Sequence, residues 1–171
     1  MTGQFEVNDK VVHPHYGAGF IRRQGFKEVE GKQIKCIEID TLFNSTKVFV
    51  PLDSIVISGL RKPISKNGVK LIMHLLQSPR RSLPKRHRTR IQHLEEKLKT
   101  GRSEDCAKIM RDLYEKYSEG SLSMTERRIF EKVRNLLSSE IAIAKDISLD
   151  KGREKVNKEL AKKKRKGSSR K

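Results

Sequence analysis

A nucleophilic serine or cysteine needs a base beside it, a structural zinc needs four ligands at short spacings, and a phosphate loop needs glycines that open a helix. The sequence holds fragments of each and completes none. His13 and His15 stand two residues apart around Pro14 with no adjacent Cys, Asp or Glu, which reads as strand-end structure rather than a metal site. Gly17-Ala18-Gly19 lacks the third glycine and the following helix of a dinucleotide loop, and reads as a tight strand turn; no GxxxxGK[ST] run is present. Cys36 and Cys106 have no CxxC or CxxH spacing and read as buried thiols of a reducing compartment. Serine elbows, HExxH and carboxylate pairs in apolar surroundings are absent, and Glu95, Glu96 and Glu115 sit beside Lys97 and Lys116, where solvated pairing is the plain reading. The expectation is a binding protein, not an enzyme, with no cofactor and no metal.

What remains able to do chemistry is cationic. The formal charge is +18 over 171 residues, and it is uneven: residues 1–76 carry +4, 77–102 carry +7, 103–150 carry −2 and 151–171 carry +9. Two short basic stretches are the pattern of a polyanion-binding surface, although a solvated helix face and tail would have the same composition. The sharpest cluster is Lys85, Arg86, His87, Arg88 and Arg90, at the start of a helix whose apolar stripe is Ile91, Leu94 and Leu98. That stripe must face a core, so part of the cluster is left toward solvent, where it can reach phosphates on both sides of a groove.

Two architectures must position these residues. From Phe5 to Ile57 apolar residues alternate with polar ones and are rich in Val, Ile and Phe, with turns at His13 to Gly17, Glu30-Gly31-Lys32 and Phe43-Asn44-Ser45. Four or five short strands with tight turns imply a small SH3- or Tudor-like β-barrel. After Pro63 the period becomes that of a helix. Val69, Ile72, Met73 and Leu76 mark a first helix ending before Pro79; Pro84 opens a second, closed by Gly101; Ser103 caps a third, closed by Gly120. Ser123-Met124-Thr125-Glu126 has the form of a capping box before a stripe of about six turns running to Ala144. The fold class is therefore α+β, with an all-β domain over 1–64, a compact helical bundle over 65–148 and a basic, unordered tail over 149–171 that is helical at most near Val156 and Leu160. No signal peptide or membrane span is evident, so the expectation is a cytoplasmic protein, monomeric when free.

The stretch Phe5-Glu-Val-Asn-Asp-Lys-Val-Val-His-Pro-His-Tyr-Gly-Ala-Gly19, with Glu30-Gly31-Lys32 and Val48-Phe-Val-Pro51, resembles the CarD/CdnL family of bacterial RNA polymerase-binding regulators. This barrel pattern is shared chiefly with the polymerase-interacting domain of the transcription-repair coupling translocase. Arg111-Asp-Leu-Tyr114, Leu122-Ser123 and Glu126-Arg127 resemble the helical domain peculiar to the stand-alone regulators, so the resemblance extends to about residue 148. It implies a nucleoid-associated, non-enzymatic protein. Its barrel would pair an edge strand with the polymerase β subunit, and its helices would contact promoter DNA at the upstream edge of the melted region, stabilising the open complex. The chain departs from the family in three places. Asn8 replaces the usual glycine before Asp9, a residue that tolerates the same turn conformations. Phe49 replaces a frequent basic residue, while Lys27 matches the other basic position. His87 stands where many members carry a Trp wedge, and reads either as its smaller substitute or as one more polar residue of a basic helix start. Arg22, Lys27 and Phe49 are expected on one exposed barrel patch, although Phe49 reads equally as core. The rival reading is a nucleoid or RNA-binding protein that uses the same cations without polymerase. A remoter one is a nuclease built on Glu95 and Glu96.

Overall fold

A computed structural model describes residues 5–43 and 45–168, the side chains of 163–168 excepted. Strands β1 (Lys10–His13), β2 (Gly17–Val29), β3 (Lys32–Thr41) and β4 (Lys47–Pro51) form one antiparallel sheet in that order. Alternation decides which side is core. In β4, Val48 and Val50 are buried, whereas Lys47 and Phe49 point outward. Val11, Ile21, Ile37 and Ile39 complete the inward face, and Phe5 and Leu60 close its ends. A register shift at Ile21/Arg23 bends β2. After β4, a 3₁₀ turn (Leu52–Ser54) and the one-turn α1 (Ile55–Ser58) carry the chain across the open end. Arg61 then pairs with Val12 on the free side of β1, with N–H···O distances of 2.8 and 3.1 Å in the two directions. This return makes the sheet Tudor-like. Asn8 adopts φ 72°, the left-handed conformation that its place in the pattern requires.

Helices α2 (Lys66–Gln77), α3 (His87–Lys99), α4 (Ser103–Ser118), α5 (Met124–Lys145) and α6 (Leu149–Ser168) build the second core. Its centre includes Ile72, Leu94, Met110, Leu113, Phe130 and Leu137, all 1% exposed or less. The capping box forms as the sequence implies: the Ser123 hydroxyl accepts from the Glu126 amide at 3.3 Å, and the Glu126 carboxylate accepts from the Ser123 amide at 2.9 Å. Among the described residues no helix is long and apolar enough to cross a membrane.

Three expectations are corrected. The second helix begins at His87, three residues after Pro84, because the carbonyls of Pro84 and Lys85 accept from the Arg90 guanidinium at 3.0 and 2.8 Å and hold that stretch outside the helix. Ser103 is inside α4 and does not cap it, since its hydroxyl donates to Glu140 at 2.6 Å. The tail is not unordered from 149. α6 packs Gly152, Val156 and Leu160 against the bundle, each buried. Those positions lie four apart on one helical face, and the sparse spacing hid them within a run of lysines. At Gly152 the approach is close enough that an added Cβ would meet the Ser138 carbonyl oxygen at 2.5 Å.

The barrel and the helices share a packed seam. Val12 and Ala18 meet Ile143 of α5, and the Ala18 amide donates to Ser139 Oγ at 3.0 Å. Gly17, at φ 82°, lies so near α5 that a Cβ would stand 2.7 Å from that hydroxyl.

Leu160 is 1% exposed, so Leu160→Ala should lower the unfolding free energy by about 2 to 5 kcal/mol in urea titration. A loss under about 0.5 kcal/mol, the usual effect of a surface change, would return α6 to the status of a tail.

Candidate functional site

The N-termini of α3 and α5 abut, and the contact is polar. His87 Nε2 lies 3.1 Å from Ser123 Oγ, the capping hydroxyl of α5. One turn further along α3, Arg90 Nε donates to Glu126 Oε1 at 2.5 Å, and Lys116 Nζ approaches the same oxygen at 3.4 Å. Glu126 is 1% exposed. Burial pushes its carboxyl upward, but the Ser123 amide, the Arg90 guanidinium and the Ser123 hydroxyl outweigh that and hold it at about 2. The capping box is thus also the anchor for α3.

This geometry divides the five cluster residues. Lys85, Arg86 and Arg88 are exposed, and among the described residues none has a carboxylate within 4.0 Å. Arg90 is a correction: its side chain is 13% exposed and its guanidinium is engaged on Glu126 and two carbonyls, so it builds the site and does not face a ligand. His87 is exposed, with its Nε2 engaged by Ser123. Two cations went unnoticed in the sequence. Arg127 and Arg128, in the first turn of α5, are exposed and without an ion-pair partner among the described residues, with the 71%-exposed Met124 near them in the chain, and they stand roughly 100° and 200° round α5 from the Glu126 that meets α3. They were masked because their segment sums to −2.

On the barrel, Lys27 Nζ stands 3.7 Å from the centroid of the Phe49 ring. Phe49 is outside the core, on the outer face of β4 and half-buried, and a cation over an aromatic face is attracted by the ring quadrupole. On the same rung, Glu38 holds Arg23 and Lys47, and those bonds lower its carboxyl below the usual range. Arg22 is the extra residue of the bulge, paired with Asp40 at 2.7 Å. Lys27 and Phe49 therefore share a patch, and Arg22 is five residues from Lys27 along β2 and next to the rung that Arg23 and Glu38 share with Phe49. The outer edge of β4 has no strand partner among the described residues.

The other reactive side chains are accounted for by packing. His13 Nδ1 accepts the His15 amide at 3.1 Å, and burial, helped by His15, lowers its pKa to about 4. Cys36 and Cys106 are buried free thiols, the second pushed up to about 12 chiefly by burial. Among the described residues no group of three His, Cys, Asp or Glu could hold a metal ion.

Two family models match the chain: the CarD-like/TRCF RID domain over residues 5–64, and the CarD C-terminal domain over residues 71–157. The chain belongs to the CarD family. A relative from Bacillus subtilis (strain 168), named "Putative transcription factor YdeB", is 31% identical over 147 residues, covering 84% of this chain and 94% of that protein. As a CarD-family member, the chain is a transcription regulator and not an enzyme, with an N-terminal domain of the polymerase-interacting type. The C-terminal CarD match runs to residue 157 and so includes the first half of α6.

Arg90→Ala leaves Glu126 buried without its nearest cation and should cost roughly 3 to 5 kcal/mol, against about 0.5 kcal/mol or less for Arg88→Ala. Because the Glu126 carboxyl is lowered to about 2, its contribution is present above its unfolded value of 4.5 and is lost as pH falls toward 2. Chemical denaturation of wild type and Glu126→Gln across that window should show the wild-type curve falling more steeply. Parallel curves would remove Glu126 from the acid response.

Proposed function

We propose that this chain bridges RNA polymerase and promoter DNA: the barrel binds the β subunit, the α3/α5 face binds duplex phosphates, and together they prolong the open complex. The observation that carries it is the cluster Lys85, Arg86 and Arg88, all exposed and unpaired among the described residues at the start of α3, where that helix is anchored on α5 of a CarD-family fold. Lysine and arginine on helix starts suit phosphate oxygens, which fix position without reading sequence. Among the apolar side chains of this face Met124 is free to approach a base step, whereas the His87 ring is tied to Ser123. On the barrel, the bare edge of β4 offers backbone groups for pairing with another strand, and Lys27 with Phe49 supplies side-chain contact beside it.

Each phosphate neutralised adds about −0.9 to the slope of log K against log salt. Replacing Arg86, Arg88 or Arg127 singly with Ala should reduce the slope by roughly one unit and weaken all duplex sequences alike. Lys27→Glu should cut retention of the chain by core polymerase while leaving duplex binding unchanged. Retention insensitive to both Lys27→Glu and Phe49→Ala, with duplex binding intact, would favour a nucleoid or RNA-binding protein. In an open-complex lifetime assay, Arg88→Glu should shorten the lifetime more than His87→Ala does; the reverse order would make His87 the reading residue.

A further inference from the structure

α6 is the part of the chain that neither the barrel contact nor the α3/α5 face uses. Lys151, Lys155, Lys158 and Lys162 recur at spacings of four, three and four residues, and all four are exposed. At about 100° per residue they fall within an arc of roughly 60° and span about 16 Å of helix. Gly152, Val156 and Leu160 are buried and centred roughly 130° round the helix, so packing turns the row toward solvent. Lys162 pairs with Glu159 at 2.7 Å, while Lys151, Lys155 and Lys158 have no carboxylate within 4.0 Å among the described residues. Past Lys162 the helix continues to Ser168 through Lys163, Lys164, Arg165 and Lys166.

This row is separate from the first basic face. α3 joins α5 at Glu126, whereas α6 meets α5 at Asn135, Ser138 and Ala142, roughly 120° to 180° further round the helix. The exposed residues of α6 up to Lys162 are Lys, Asp, Glu, Asn and Ala, with no aromatic and no large apolar side chain. Bases of a single strand would have nothing to stack on, and a bilayer would receive no apolar face. Compact ammonium charges along a rigid rod match the phosphate rows of a double helix, which need no directional fork.

We infer that the lysine row of α6 is a second contact surface for the phosphate backbone of duplex nucleic acid, separate from the α3/α5 face. The test is fluorescence anisotropy of the full chain with a labelled duplex of arbitrary sequence across a salt series. Lys151→Gln/Lys155→Gln/Lys158→Gln should weaken binding at low salt more than tenfold and reduce the salt slope by nearly three units, three contacts at about 0.9 each. The substitutions touch exposed positions, so the urea midpoint should not move. In the Arg86→Gln/Arg88→Gln background the loss should recur in full, which distinguishes failure of this surface from failure of the first. An unchanged duplex slope overturns the inference. So does a loss confined to single-stranded oligonucleotide or to anionic phosphatidylserine vesicles.

Discussion

One buried carboxylate joins the barrel to the helices. Glu140, 2% exposed in the C-terminal part of α5, accepts from both arms of the Arg61 guanidinium at 2.5 and 2.9 Å, from the Ser103 hydroxyl at 2.6 Å and from the Ile64 amide at 3.0 Å. Arg61 is also the residue whose backbone closes the barrel on Val12, and its second arm reaches the Gly101 carbonyl at 3.2 Å. Burial opposes the Arg61 charge, but the Glu140 carboxylate outweighs this and raises its pKa. Barrel, connecting segment, α4 and α5 thus meet at a single side chain. Losing one partner of such a pair would leave the other charge buried and uncompensated.

The same logic governs the surface charge. The +7 of residues 77–102 is not a surface quantity, because much of it is taken up by carboxylates of the following segment: Arg80 by Glu115, Arg90 by Glu126, Lys97 by Asp112 and Arg102 by Asp105. Three of those carboxylates are buried. The segment that sums to −2 therefore hides four of its ten carboxylates inside, Asp105, Asp112, Glu126 and Glu140, and its exposed Arg127 and Arg128 remain basic toward solvent. Charge summed along a chain measures composition; a ligand meets only the part that the fold leaves unpaired.

This is why the fold was more legible than the site. Hydrophobic period, the Ser123–Glu126 box and the Asn8 turn are local signals, and each led to the right element. Ser103 and Arg90 failed because both are of a type that suits a local role, a cap and a phosphate contact, yet each is engaged by a carboxylate 37 or 36 residues away. Nothing in local spacing shows such a partner. α6 failed for the opposite reason: three small or apolar contacts, Gly152, Val156 and Leu160, fix a helix whose composition is that of a solvated tail.

A buried polar network is weak evidence for stability, since apolar residues of similar volume often serve as well. Geometry gives the Glu140 network a stronger rationale. Under the proposed bridging, a second contact gains from the first only when one body can engage both at once, and a joint that misplaces them loses that gain entirely. An apolar seam such as Val12, Ala18 and Ile143 can slide by a fraction of a side chain, whereas four hydrogen bonds converging on two oxygens admit one arrangement. The small residues at Gly17 and Ala18 let α5 come close enough for that arrangement to form. The angle between the bare β4 edge and the cations of α3 then follows from where Glu140 stands on α5.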